Sequence, residues 1–284
     1  MDQLRLRPER LSGRGTVIRT GRAGHITAPE SNWLRSIKKA ESTPRALLVL
    51  LPHAGGGAHG YAPWAPTLPA DITTVAVEYT GHGTRMREPL MSDLAGVVSD
   101  LSELLSEVDN RSLIVGGHSL GAFVGYELAE ELQERGHPVA GLFLSGAVPP
   151  HRRAQIADLS ALDDDSLAEE LGARGDLPQE IVQDREAREL YLPIVKNDLR
   201  LARRYRRRGD RSRARSRAVV VGGEQDPSAP SADLAGWPDL IDGPTEITVL
   251  PGGHFYYREQ LPAVGRLIDG LVASLDGTRY AEQG

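Results

Sequence analysis

Residues 113–122, Leu-Ile-Val-Gly-Gly-His-Ser-Leu-Gly-Ala, narrow the chain's options more than any other stretch. The short aliphatic run reads as a buried strand. It ends in Gly117-His118-Ser119-Leu120-Gly121, and Phe123 to Gln133 then reads as a helix. A strand, a tight turn carrying a serine between glycines, and a helix together have the geometry of a nucleophile elbow. Such a turn strains the serine backbone and displays the hydroxyl. Glycine suits positions 117 and 121 because side chains there would collide with the neighbouring strand and helix. The helix points its N-terminus at Ser119, so free N–H groups face any negative charge that develops there.

An elbow of this kind needs a second anion-binding N–H and two partners for the serine. Ala46 to Leu51 is aliphatic throughout and reads as a central strand. The loop after it, Pro52-His53-Ala54-Gly55-Gly56-Gly57-Ala58, lacks the Walker spacing and the dinucleotide fingerprint. It suits the other half of an oxyanion hole, where an N–H from the loop after an early strand joins the one that follows the nucleophile. The donors are then Ala54 and Leu120. Tyr61 and Trp64 follow on a short helix ending near Leu68, and suit either an acyl entrance or the core. With Phe255 they are the substrate-binding candidates. Thr73 to Tyr79 reads as a strand and Met91 to Val108 as an amphipathic helix. His82, in the loop between them, reads as structural or surface.

Downstream, Gly141 to Ser145 reads as a strand, after which the alternation of strand and helix stops. From 151 to about 217 the pattern is polar and helical (167–171, 178–185, 189–204), as expected of a lid over the sheet's C-terminal edge. Leu190, Tyr191, Leu192, Ile194, Val195 and Leu199 are candidates for its apolar underside. Its Arg-rich end, from Arg203 to Arg217, reads as a solvated loop or as a docking patch for a phosphate or an acidic carrier domain. Ala218 to Gly222 restores the sheet, and Asp226 lies just past it in Gly223-Glu224-Gln225-Asp226-Pro227. A triad acid belongs at such a strand end, and Pro227 fixes the turn. Glu224, Asp233, Asp239 and Asp242 are its competitors. After the strand Glu246 to Leu250 comes Pro251-Gly252-Gly253-His254-Phe255, which offers a general base. The order Ser119, Asp226, His254 is that of the α/β-hydrolase class. Arg258 to Leu275 closes the domain as a helix.

The expected fold is therefore an α/β-hydrolase: a mostly parallel central sheet flanked by helices, with a helical lid insertion. Its parts are a core of 31–150 and 216–276, a lid at 151–215, an Arg-rich leader at 1–30 and a flexible tail at 277–284. Trp33, Leu34 and Ile37 read as a first short helical turn. The leader has no apolar period and reads as unstructured, as a start placed too far upstream, or as a basic arm for an acidic partner. The chain of 284 residues contains no cysteine, so thiolate nucleophiles, disulfides and cysteine metal sites are excluded. A net charge of −6 argues against a generic nucleic-acid binder. Lysine occurs only at 38, 39 and 196, so arginine clusters in this Arg-biased chain carry little weight by themselves. No signal peptide or membrane-spanning run is evident, which points to a cytoplasmic protein. No sustained apolar surface stripe stands out, and a monomer is expected.

Several separate motifs fall in register with one family. They are Pro52-His53-Ala54-Gly55-Gly56, Tyr61 and Trp64, the Gly81 loop with Arg85 and Glu88-Pro89, and Gly117-His118-Ser119-Leu120-Gly121-Ala122. Leu144-Ser145-Gly146, Gly223 to Asp226 and Gly252-Gly253-His254-Phe255 complete the set. Over about 32–275 the chain resembles the type II thioesterases, stand-alone α/β-hydrolases that serve polyketide synthases and nonribosomal peptide synthetases. The resemblance implies hydrolysis of acyl thioesters on the phosphopantetheine arm of acyl or peptidyl carrier proteins, clearing aberrant short acyl groups. It implies carrier domains as partners, no nucleic acid or membrane, and no cofactor or metal, the pantetheine belonging to the substrate. It makes Ser119 the nucleophile, His254 the base and Asp226 its orienter. Thr80 stands where the family often has Pro, and His82-Gly83 replaces a commoner Arg. The leader and the Arg-rich end of the lid are also departures. These bear on substrate preference and docking. Two other readings stay open: an oxygen-ester hydrolase, acyltransferase or cyclase of the same fold, and a catalytically silent carrier-binding protein. The intact Ser119, Asp226 and His254 set argues against the silent protein.

Overall fold

The computed structural model describes residues 28–109, 112–155, 157–207, 209 and 211–281. Most of the expected leader, and the last three residues of the expected tail, lie outside them. Within them, seven strands form one sheet in the order β1-β3-β2-β4-β5-β6-β7. These are β1 (Leu34–Lys38), β2 (Ala46–Leu51), β3 (Ile72–Val77), β4 (Leu113–His118), β5 (Gly141–Ser145), β6 (Arg217–Gly223) and β7 (Thr245–Leu250). Only β1 runs antiparallel to its neighbour; the other pairings are parallel. This is the α/β-hydrolase arrangement expected from the chain order.

The aliphatic run of β2 shows why the central strands look uniformly apolar. Leu47, Val49 and Leu51 enter one core and Ala46, Leu48 and Leu50 the other, so both faces of the strand are covered. The first face is covered by α1 (Leu94–Leu105) and α2 (Leu120–Glu134), the second by α6 (Leu261–Ala281) and the helical turns at Ala58–Thr67. Asp93 starts α1 by accepting the Gly96 N–H at 2.7 Å.

Two local expectations are corrected. Leu34 and Ile37 belong to the strand β1, not to a helical turn. Leu34 joins the first core and Ile37 packs on the second, the opposite-face placement that strand geometry provides. Backbone pairing to Val77–Thr74 stabilises this short segment where an isolated helical turn would have little to hold it. At the other end, α6 begins at Leu261, after a separate turn at Tyr256–Arg258, and continues to Ala281, through most of the expected flexible tail.

Between β5 and β6 lie the lid helices α3 (Asp164–Ala173), α4 (Gln179–Gln183) and α5 (Arg185–Arg204). They have a small core of their own, in which Leu167, Leu171, Leu177, Leu192 and Val195 meet. Leu190, expected on the underside, is 61% exposed: it lies on the opposite side of α5.

Part of the Arg-rich end is neither solvated nor free to dock a partner. Arg207 donates through Nε to Glu130 at 2.9 Å, and Arg211 reaches Glu127 at 3.2 Å and Glu131 at 2.6 Å, all on α2. Tyr205 adds a bond to Glu127 at 2.6 Å and stacks beside Phe123. These acids recur three and four residues apart on one helix face, the signal that pairs with the arginines. Arg211 is buried among them, so its removal strands their charges. Arg211→Ala is expected to cost about 3 kcal/mol, the lower end for breaking a buried pair because the acids are partly wet. A thermal melt checks this, with Arg215→Ala, at an exposed position, leaving the midpoint unchanged.

Candidate active site

Ser119 sits between the end of β4 and the start of α2 with φ 56° and ψ −114°. It is the one non-glycine residue with positive φ among those described. Such a conformation costs about 1–3 kcal/mol and persists only where the surroundings impose it. Here they do. A side chain at 117 would strike the backbone of Gly121, and one at 121 would strike the Leu51 carbonyl. The two glycines thus let β4, α2 and the end of β2 close on one another. The Ser119 N–H donates to the Ser145 carbonyl at 2.8 Å, which fixes the turn.

The same close approach brings the 52–58 loop beside the elbow. Ala54 lines a cavity with Ser119 and His254, and Leu120 opens α2 immediately after the serine. The two expected oxyanion donors therefore belong to segments that meet at Gly121. Tyr61 and Trp64 do not line this cavity. They are buried in the second core, packed edge to face at 5.1 Å, and the Tyr61 hydroxyl donates to the Leu51 carbonyl at 2.6 Å. Their expected role in substrate binding is corrected to one of support: rings this large are drawn into the layer beneath α6. Phe255 does line the cavity, its ring 4.7 Å from His53 and beneath the Arg258 guanidinium at 4.2 Å.

Asp226 is buried just beyond β6. Its Oδ1 accepts the Ser228 and Ala229 N–H groups at 2.8 and 3.1 Å, leaving Oδ2 for His254 Nδ1 at 2.8 Å. None of the competing acids reaches this position. Glu224 is exposed and accepts from the Gln225 amide, Asp239 lies near His151 and Asp242 near Arg213. Asp233 also fails to contact the histidine; it lies in the first turn of a helical segment further on. The Asp226 and His254 loops are zipped together by Gln225, whose Oε1 accepts the Gly252 N–H at 2.8 Å and whose own N–H donates to Gly252 at 2.9 Å. Sequence reasoning passed over Gln225; its place between two candidate acids was the available signal.

The histidines of the site divide by charge. Burial lowers the pKa of His254, but the hydrogen bond and charge of Asp226, with Asp176 beyond it, outweigh that and raise it above the ordinary 6.5. His53 is pushed down to about 3, chiefly by burial and then by His254. His118 is lowered for the same two reasons and bonds Ser145 through Nδ1 at 2.8 Å. One imidazole is thus prepared to take a proton while its neighbours stay neutral.

The cavity measures about 120 Å³, the liquid volume of about four waters and so room for a short acyl group. Tyr191, Val195 and Leu199 of α5 and Leu171 and Leu177 close it from the lid side. Of the other expected underside residues, Leu192 turns into the lid's own core and Ile194 is half-buried. Among the described residues no group of three or more His, Asp or Glu is arranged to hold a metal ion, and no helix is long and apolar enough to cross a membrane.

The family described as thioesterase domain matches residues 46–271. A probable cadicidin biosynthesis thioesterase of Streptomyces griseus is 30% identical over 234 residues, which are 82% of this chain and 64% of that protein. The AMB antimetabolite synthetase AmbE of Pseudomonas aeruginosa is 31% identical over 223 residues, 78% of this chain and 10% of the synthetase. The chain thus spans less than two thirds of either relative's length. Among solved structures, the type II thioesterase BorB from the borrelidin biosynthetic cluster has a TM-score of 0.76 at 29% identity, covering 84% of this chain and 97% of that one.

Proposed function

This chain belongs to the thioesterase family, and from that premise we propose that it hydrolyses acyl thioesters on the phosphopantetheine arm of acyl or peptidyl carrier proteins. Its place is in polyketide or nonribosomal peptide assembly, editing or releasing acyl groups. The observation that carries this reading is the shared cavity: Ser119, held in a strained turn, and His254, held by Asp226, open onto the same space. The partner is a carrier domain, and the protein works as a cytoplasmic monomer.

Ser119 Oγ attacks the thioester carbonyl while His254 Nε2 takes its proton. Asp226 keeps the other proton on Nδ1 and stabilises the imidazolium. The N–H groups of Ala54 and Leu120 receive the oxyanion, each such donor contributing about 3–4 kcal/mol in comparable sites. The C–S bond then breaks, His254 returns the proton to the pantetheine sulfur, and an acyl-Ser119 ester remains. Water, deprotonated by His254, attacks that ester; the carboxylic acid leaves and Ser119 is restored. Every proton is handled by these side chains, so no cofactor or metal is required.

Because His254 must be neutral to act as base, kcat/KM is expected to rise with pH through the raised pKa of that imidazole. The midpoint of the acid limb should lie above 6.5 and fall when Asp226 is replaced. A pH–rate profile on one acyl-carrier substrate checks this.

The reading is tested by presenting a panel of acyl groups on a carrier protein, the same groups on coenzyme A, and p-nitrophenyl esters. Faster release from the carrier supports it. Preference for the oxygen esters, or transfer of the acyl group to an alcohol or amine, moves the protein to another hydrolase class. Failure of a fluorophosphonate to label Ser119 makes it a silent binding protein.

A further inference from the structure

The buried pair formed by His82 and Asp198 has no part in the chemistry above. Asp198 lies on the lid helix α5 and is fully buried; His82 lies in the loop after β3 and is 1% exposed. Asp198 Oδ2 meets His82 Nε2 at 2.8 Å and also accepts the Gly55 N–H at 2.8 Å. His82 Nδ1 faces the Thr80 carbonyl at 3.0 Å. The Nδ1 proton therefore goes to the Thr80 carbonyl, and Nε2 and the Gly55 N–H share one oxygen of Asp198. Burial lowers the His82 pKa, but Asp198, the Thr80 carbonyl and Glu78 together raise it above its ordinary value.

The grip of α5 on Gly55 is double. Tyr191, on the same helix, donates its hydroxyl to the Gly55 carbonyl at 2.7 Å. Gly55 has φ 74°, and its bare Cα lies against Val195, where a Cβ would come within 2.5 Å of the valine side chain. Asn197 adds a bond to the Met91 carbonyl at 3.0 Å, beyond the His82 loop. Both backbone polar groups of the glycine after Ala54 are therefore held by the lid.

We propose that Asp198 is a positioning residue for the oxyanion hole. Held by His82, its carboxyl fixes the Gly55 N–H, and the turn closed by the Gly56 N–H on the His53 carbonyl at 2.9 Å carries that hold to the preceding peptide, so the Ala54 N–H is aimed at the reacting carbonyl while α5 rests on the loop. Lid closure and oxyanion binding become one event. An Asp198 oxygen shared between His82 and Gly55 is fixed in direction, as a side chain bonded to Gly55 alone would not be. The proposal rests on the Ser119 nucleophile reading above.

The test compares wild type, Asp198→Ala and Asp198→Asn on an acyl-carrier thioester and a p-nitrophenyl ester, with thermal melts to establish the folded fraction. Asp198→Ala is expected to lower kcat on both substrates by about 10–100-fold with KM within about threefold, since a misaimed donor weakens the transition state more than the ground state. Fluorophosphonate labelling of Ser119 slows in parallel. Asp198→Asn keeps an acceptor for Gly55 and recovers part of the loss. A purely structural role lowers the melting midpoint and leaves kcat per folded molecule unchanged; that result, or a loss confined to KM, overturns the proposal. If Asp198→Ala does not fold, Asp198→Asn decides alone, and a wild-type kcat for it overturns the proposal. Hydrogen exchange at the Gly55 amide needs no substrate. Faster exchange in the folded variant supports the tether and an unchanged rate overturns it. Wild-type protein that neither hydrolyses nor labels overturns the nucleophile reading instead, and the exchange measurement separates the two failures.

Discussion

Ser119→Ala is expected to lower hydrolysis of a carrier-bound acyl thioester by about a millionfold in kcat while leaving the melting curve close to that of wild type. The loss is large because no other hydroxyl on the cavity wall can replace Oγ. Tyr191 donates to the Gly55 carbonyl at 2.7 Å, Ser160 donates to Asp158 at 2.6 Å, and Ser228 accepts from Arg174 at 3.4 Å, so each has a partner other than His254. The fold survives because Gly117 and Gly121, not the serine hydroxyl, let the turn close, and alanine bears the same backbone strain at φ 56°. The Ala54 and Leu120 N–H groups remain, so a slow reaction above the uncatalysed rate is retained. Single-turnover release of a radiolabelled acyl group measures it. A variant that hydrolyses at the wild-type rate removes Ser119 from the mechanism.

Asp226→Asn is expected to cost about ten-thousandfold in kcat at neutral pH. Oδ1 of Asp226 is committed to two backbone N–H groups, so the asparagine carbonyl takes that place and its NH2 faces His254. An NH2 donating to Nδ1 forces the imidazole proton onto Nε2, the atom that must accept from Ser119. The charge that stabilises the imidazolium disappears with it. Glu224→Gln is the matched control: Glu224 points to solvent and its substitution should leave kcat within about twofold, as surface changes away from a site do. Steady-state kinetics of both variants on one carrier substrate decide the matter, and the opposite ranking would transfer the role to Glu224.

What could be read in the linear chain was whatever local pattern dictates. The elbow, the strands β2, β4, β5 and β6, and the order of Ser119, Asp226 and His254 all follow from short runs and their neighbours. β1 is not legible as a strand because five residues carry too little period to separate a strand from a turn; its pairing with β3 decides. Tyr61 and Trp64 were ambiguous because an aromatic pair suits a pocket and a core equally, and only the position of α6 places them inside. His82 stood out as a departure from the resembling family, yet its partner Asp198 lies 116 residues away in another layer. Compositional bias hides the arginines of the lid's exit in the sequence, yet some of them are held by acids on α2 at helical spacing.

Those arginines make the two ends of the cap unequal. Its C-terminal end is riveted to α2 through Tyr205, Arg207 and Arg211, with several short bonds to side chains sheltered from solvent. Its N-terminal end meets the core through the exposed pair of His151 with Asp239 at 3.5 Å, which contributes little, while the 3.5 Å pair of Asp158 with Arg203 joins two parts of the cap to each other. With Tyr191, Asn197 and Asp198 also bonded to the core, α5 is the fastened margin of the cap and the segment around His151 and Asp158 the looser one. Asp158 and Arg203 both line the cavity, so the looser margin of the cap is also the one that meets the space beside Ser119.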